Sequence, residues 1–250
     1  MSRFFKMLLI LSASILYSGA STAADTNNWS YDGPTGPANW ANLGTAFLAC
    51  DGQQQSPVVL RSASAIAADV PTVFLNWQQF APDIINDGHK IEVTPQGEGG
   101  SLTFDGADYS LQDFHFHMTS EHQVDGQSFP MEAHFIHRSA SGSLLALAVF
   151  FIEGQSNDVL DVILKTVPKQ EGRASSPDFI DPKQLLPIDT RFFRYRGSLT
   201  FPPCSENVTW HIYKQPIEAS KAQLDRIARL YKDNHRPLQE LHRRYILEGK

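Results

Sequence analysis

The stretch Asp113-Phe114-His115-Phe116-His117, read together with Glu132-Ala133-His134-Phe135-Ile136-His137, decides how this chain folds. Both runs are short, aromatic or aliphatic, and bounded by polar turns, so they read as strands. Alternate side chains of a strand share a face. His115 and His117 therefore point the same way, ~7 Å apart along the backbone, and Phe114 and Phe116 turn into a core. A neighbouring strand can bring His134 to the same point. Three neutral imidazoles meeting at one point are the ligand set of a catalytic zinc, with a fourth position left for water.

A single histidine on an apolar strand is ordinarily a hydrogen-bonded core or surface residue, and that reading competes for each of the three. What sets this pattern apart is the company they keep. Asp113 precedes His115 by two residues and Glu132 precedes His134 by two, each on the same strand face. Metal-bound imidazoles usually donate their second N–H to a carboxylate or carbonyl, which holds tautomer and orientation. His137 falls on the opposite face from His134 and is a poor ligand candidate. His211 and His235 read as structural, and His242 as a surface residue.

Outward from these runs, strands dominate. Val73–Trp77, Lys90–Thr94, Ser101–Phe104, Tyr109–His117, Glu132–His137, Leu144–Ile152 and Asn207–Lys214 are expected strands, several separated by Asp-Gly and Gly-rich turns. Leu144–Ile152 is apolar throughout, which suits burial on both faces. Helices are expected over Asp158–Thr166 and over Ser220–Lys232, where Ser220 can cap and Leu224, Ile227 and Tyr231 form one stripe. Residues 25–56 read as an irregular arm packed on the domain. The pattern is that of a single β-dominated α+β domain with a few peripheral helices, spanning residues 25–250.

The chain has 250 residues, 42% of them hydrophobic, with a formal net charge of −6. That is enough for one globular core. It offers no basic, aromatic-interleaved run of the kind that binds nucleic acid. Residues 1–23 form an expected secretory signal peptide: Arg3 and Lys6 are positive, Met7 to Tyr17 is apolar, and small residues allow cleavage after Ala23 or Ala24. An uncleaved anchor is the competing reading, but the apolar run is short for a membrane span. No later segment is apolar for long enough to insert stably in a bilayer. The expected location is the periplasm or the exterior. Cys50 and Cys204 are an even pair in an exported chain, which suggests one disulfide over two free thiols.

The chain resembles an α-class carbonic anhydrase of the bacterial, exported kind. The resemblance covers nearly the whole mature sequence and rests on motifs in family order. These are Gln55-Ser56-Pro57-Val58, Asn86-Asp87-Gly88-His89, Phe114-His115-Phe116-His117, Ser120-Glu121-His122, Met131-Glu132-Ala133-His134, Gly197-Ser198-Leu199-Thr200 with Pro202-Pro203, and Val208-Thr209-Trp210. It implies a central twisted, mostly antiparallel sheet and reversible hydration of carbon dioxide to bicarbonate, with zinc as cofactor.

Carried over position by position, the resemblance makes His115, His117 and His134 the zinc ligands. Thr200 becomes the gatekeeper that donates to Glu121 and orients the nucleophile, and His89 the proton shuttle. Asp113, Glu132 and the Asn234 carbonyl become partners of the ligands. Ile136, Leu199 and Trp210 would wall the carbon dioxide pocket, and Tyr31 would join a water network. Ser56, His122 and Tyr195 match a buried hydrogen-bonded cluster. A Cys50–Cys204 bridge would tie the loop bearing Thr200 to the N-terminal arm.

Three positions depart from the family: Asp113 replaces a glutamine, Phe201 a small polar residue or histidine, and Ala146 a bulkier valine. They bear on rate and inhibitor affinity more than on reaction type. Sulfonamide and anion inhibitors, and slow hydrolysis of small esters, follow as further expectations. The alternative is a non-catalytic zinc-binding or structural protein on the same fold. A peptide-cleaving zinc enzyme is disfavoured because the chain lacks His-Glu-x-x-His.

Overall fold

The structure, a computed structural model, describes residues 28–231 and 233–249. The expected signal peptide lies outside the described residues. The strands in chain order are β1 (Val59–Leu60), β2 (Ile66–Ala67), β3 (Phe74–Trp77), β4 (Pro82–Asn86), β5 (Ile91–Pro95), β6 (Gly100–Phe104), β7 (Ala107–His117) and β8 (Gln123–Val124). Then come β9 (Met131–Ser139), β10 (Leu144–Glu153), β11 (Gly172–Ser175), β12 (Phe192–Gly197), β13 (Val208–Tyr213), β14 (Ile217–Ala219) and β15 (Leu247–Gly249). One large sheet runs β11-β4-β5-β7-β9-β10-β13-β12-β15-β2, with β14 beside β10 and the β3–β6 hairpin on β7. Most pairings are antiparallel. The exceptions in this sheet are β10 with β13 and β14, and β15 with β2.

The all-apolar run of β10 explains the sheet's place between two cores. Its residues alternate faces. Leu145, Leu147, Val149 and Phe151 join Phe114, Phe116 and Phe135 on one side. Leu144, Ala146, Ala148 and Phe150 join Tyr195 and Trp210 on the other. A strand covered on both faces needs no polar alternation. The same alternation turns His115 and His117 of β7 away from the phenylalanine core.

Helix α1 (Asp158–Thr166) lies where expected: the Asn157 side chain caps it, and Val159, Leu160, Ile163 and Leu164 are buried. Helix α2 (Lys221–Ala228) starts with a Ser220–Gln223 capping box but ends four residues short of the expected Lys232. Tertiary hydrogen bonding accounts for the early stop. The Tyr231 hydroxyl sits 2.8 Å from Asn86 Oδ1 and 2.6 Å from the Lys90 carbonyl, which takes the chain off the helix axis.

Strands β4 and β12 were absent from the sequence expectation. β4 opens on a proline and carries Asp83, which Ser175 and Arg173 satisfy from β11. β12 carries Arg194, an arginine buried by its surroundings. The N-terminal arm is a series of 3-10 turns over Gly33–Thr35, Pro37–Asn42 and Thr45–Asp51. It packs Trp40 and Phe47 around the Cys50–Cys204 disulfide, whose Cα atoms are 4.9 Å apart and whose halves lie 154 residues apart in sequence. Closing so long a loop stabilises the fold by up to about 5 kcal/mol in the chain-entropy account.

His137 is structural, as its strand face required. Its Nε2 accepts from the Trp77 indole at 2.9 Å, and its ring lies parallel to Trp77. Burial pushes the imidazole down to about 3, against the pull of the Leu145 and Phe135 carbonyls. The unfolded chain therefore binds a proton here between about pH 6.5 and 3 that the folded chain refuses. The stabilisation is fully present above pH 6.5 and is lost as pH falls toward 3, on the order of 5 kcal/mol in all. In urea titrations across this window, a His137→Gln variant should show a shallower loss of stability than the parent. Equal slopes would mean that His137 does not carry the effect.

Candidate active site

β7 and β9 pair antiparallel with His115 opposite His134. That register, with the i, i+2 spacing on β7, brings three buried imidazoles face to face. One nitrogen from each lies within 4.8 Å of the other two.

The second nitrogen of each ring determines which atom faces the centre. His117 Nδ1–H donates to the Asn234 carbonyl at 2.7 Å. A carbonyl only accepts, so Nδ1 carries the proton and Nε2 a free lone pair. His115 Nδ1 lies 2.8 Å from Asp113 Oδ1, and His134 Nε2 lies 2.8 Å from Glu132 Oε1. Two Nε2 atoms and one Nδ1 thus present lone pairs inward. His115 Nε2 and His117 Nε2 are buried without any protein partner.

Burial pushes His115 and His117 well below the ordinary imidazole range; Lys90 and His134 add to this at His115, His134 and His115 at His117. Burial also lowers His134, with Glu132 pulling the other way. The rings are neutral donors. Neutral imidazoles with orphaned, converging lone pairs fit a zinc ion.

Glu132 is more heavily engaged than its spacing suggested. Its Oε2 accepts from the backbone N–H of Glu121 at 2.8 Å and of His122 at 2.9 Å. Its Oε1 holds both His134 and His122. Burial alone would raise this carboxyl, but His122 and His134 hold it well below its usual range. A further group of potential metal-binding atoms, His122, Glu132 and His134, is this same bridge seen from behind. His122 Nε2 lies 2.7 Å from the Tyr195 hydroxyl, which donates to Ser56 Oγ at 2.7 Å, so the expected buried cluster is present. A Cβ at Gly197 would collide with that serine hydroxyl, so the close approach requires glycine.

Glu121 faces the same centre, and the Thr200 hydroxyl lies beside it. Glu121 Oε2 lies 3.4 Å from His117 Nε2 and 3.8 Å from His134 Nδ1. Its Oε1 accepts from the Arg236 backbone N–H at 2.7 Å. Burial raises its carboxyl well above the usual range, while the Arg236 N–H and the nearby Thr200 hydroxyl favour the charged form. By strict geometry neither Glu121 Oε2 nor Thr200 Oγ1 has a hydrogen-bond partner. These two oxygens and the Nε2 atoms of His115 and His117 are all buried and unmet among the described residues.

Ile136, Ala146 and Trp210 share the second core, with Leu199 packed against it. Ala146 lies opposite both Ile136 and Trp210 in register. The Trp210 ring meets His134 edge-on at 4.7 Å. Phe201 meets His115 edge-on at 5.5 Å and lies parallel to Trp29 at 6.3 Å.

His89 stands apart from the cluster. Its ring stacks on Trp29 at 3.9 Å, and Nε2–H donates to the Trp29 carbonyl at 2.8 Å. The Trp29 and Phe201 rings lie between it and His115. The Tyr31 hydroxyl is buried without a protein partner, and burial raises it well above the ordinary phenol range.

Two contributors escaped sequence reading. The Arg236 side chain donates to Gln55 Oε1, Ser56 O and Cys50 O, and so joins the N-terminal arm to the residue beside Glu121. Lys90 is buried against Asp87 and Glu92 and lies over the Phe201 ring. Burial opposes its charge, but Glu92, Asp87 and Asp113 together hold its pKa above the usual lysine value. Lys90 offsets the negative charge that Asp113 brings beside His115. Its only sequence signal was a lysine next to His89.

Among known families, the one described as eukaryotic-type carbonic anhydrase matches residues 35–249. The carbonic anhydrase of Nostoc sp. is 37% identical, over 98% of this chain and 97% of its own length. A structure of the α-carbonic anhydrase of Thermovibrio ammonificans with the inhibitor sulfanilamide superposes with a TM-score of 0.85. It is 38% identical and covers 89% of this chain and 98% of that one. Dioscorin DB3S of Dioscorea polystachya is 30% identical over 92% of this chain and 90% of its own length.

Proposed function

The chain belongs to the eukaryotic-type, or α-class, carbonic anhydrase family, and from that premise we propose that it hydrates carbon dioxide reversibly at a zinc ion held by His115, His117 and His134. The carrying observation is the set of inward lone pairs: two Nε2 and one Nδ1, buried, converging, and each backed by a bond at the other ring nitrogen. Zinc, when bound, supplies the Lewis acidity that lets water ionise near neutral pH.

The chain's own residues do the rest. Glu121, with one oxygen already accepting from Arg236, takes the Thr200 hydroxyl proton as a hydrogen bond. The Thr200 oxygen is then left to accept from the nucleophile and to aim its remaining lone pair at the pocket. Ile136, Leu199 and Trp210 hold the apolar substrate and exclude competing water. Asp113, Glu132 and the Asn234 carbonyl keep the three rings in register. Small esters that enter the same pocket are expected to be hydrolysed slowly, and the site should take sulfonamides and small anions as inhibitors. The Cys50–Cys204 disulfide supports an exported protein, periplasmic or secreted, with a mature domain from about residue 25.

Stopped-flow hydration of carbon dioxide, before and after a zinc chelator, tests this reading. Rapid hydration that the chelator removes and zinc restores is the expected result. Zinc bound without hydration would favour the non-catalytic alternative.

Hydration releases one proton per turnover, which must leave the site. With Nε2–H tied to the Trp29 carbonyl, His89 has Nδ1 free to take a proton and pass it to buffer. His89→Ala should leave kcat/KM for carbon dioxide nearly unchanged and lower kcat at least about tenfold in dilute buffer. Added imidazole should restore most of it. If kcat/KM collapses too and imidazole gives no rescue, the shuttle lies elsewhere.

A further inference from the structure

Arg194 on β12 and His211 on β13 are cross-strand partners. They face away from the Tyr195–Trp210 side of the sheet, since alternate residues turn to opposite faces. Both are buried. Arg194 Nη2 donates to His211 Nδ1 at 2.8 Å. A guanidinium cannot accept, so Nδ1 must be the acceptor and the His211 proton sits on Nε2. Burial, and then the Arg194 charge, push this imidazole well below its ordinary range, so it stays neutral and Nε2–H stays a donor.

Among the described residues that donor has no acceptor. His211 Nε2 is buried without a partner, and so is Arg194 Nε, although Arg194 Nη1 donates to the Pro71 carbonyl at 2.5 Å. Buried donors left unmet are costly. The unmet His211 donor points to an acceptor from outside the chain.

His211 also lines a groove of about 400 Å³. The groove is walled by Phe74, Asn76, Thr190, Phe192 and Tyr213, and among the described residues no acidic side chain lines it. Phe192 stacks on His211 at 3.9 Å, Tyr213 meets it edge-on at 5.0 Å, and Phe74 is 66% exposed at the rim. A cation behind the donor, no carboxylate in the wall, and three aromatic rings define the ligand's chemistry. We propose that this groove binds a small aromatic carboxylate, which accepts from His211 Nε2–H and lays its ring against Phe74, Phe192 and Tyr213. The site is separate from the histidine cluster and does not depend on the reaction there.

Benzoate titrated into the zinc-loaded protein, followed by NMR, is the test. Saturable shifts of the His211 Nε2–H signal and of the Phe74 and Tyr213 ring signals are expected. His211→Phe keeps a flat ring on Phe192 but removes the donor. It should weaken binding by roughly tenfold or more while carbon dioxide hydration is unchanged. Phe74→Ala, a change at an exposed side chain, should weaken binding with no effect on folding. The proposal fails if benzoate shifts only the His115–His117–His134 signals, if His211→Phe binds as well as the parent, or if the groove shows no saturable shift. In the last case water alone satisfies the two donors.

Discussion

Replacing His117 with alanine is expected to strip the protein of zinc and, with it, of nearly all carbon dioxide hydration. Its Nε2 is a buried lone pair with no other partner, and its Nδ1 is committed to the Asn234 carbonyl. The ring therefore has one orientation and one use. Removing an outer partner of a metal-bound imidazole already costs ~10–100-fold in affinity. Removing the imidazole itself should cost more, because two remaining nitrogens cannot complete a tetrahedral set. The same holds for His115→Ala and His134→Ala. Metal analysis of the dialysed variants and stopped-flow rates are the measurements, with circular dichroism to check the fold. A His117→Ala protein that keeps stoichiometric zinc and parental rate would falsify the assignment of the metal site.

Thr200→Ala should leave zinc bound and still lower kcat/KM on the order of a hundredfold. The loss comes from orientation. Thr200 Oγ1 and Glu121 Oε2 are both unmet among the described residues; Glu121 Oε2 faces the converging imidazoles and the Thr200 hydroxyl lies beside Glu121. A preorganised acceptor there aims the nucleophile without reorganisation during the reaction. Thr200→Ser retains the hydroxyl and should recover most of the rate, which a role in packing alone would not predict. An unchanged rate in Thr200→Ala, with zinc present, would remove Thr200 and Glu121 from the orienting role.

Much of the architecture was legible because burial writes itself into period. The alternation in Asp113–His117 and Glu132–His137, and the unbroken apolar run of β10, are direct consequences of strand geometry against a core. Helix α1 was legible for the same kind of reason: a capping residue followed by an amphipathic stripe. Strands β4 and β12 were hidden because each carries a charge that only tertiary contacts make tolerable, Asp83 through Ser175 and Arg173, Arg194 through Pro71 and His211. Helix α2 was over-extended because helical periodicity continues through Tyr231, whose hydroxyl is claimed by Asn86 and Lys90.

The sequence by itself determined the ligand candidates, the strand faces they occupy and the carboxylates two residues upstream, because these are local, short-range relations. Only the tertiary structure decided which nitrogen of each imidazole faces the centre. His117 is oriented by a carbonyl 117 residues away, and His134 by a carboxylate that also holds His122 and two backbone N–H groups. It likewise decided that His89 rests on Trp29 and that Lys90 offsets Asp113. A hydrogen bond fixes a ring through distance and angle in space, and sequence spacing constrains those only within a strand or a turn.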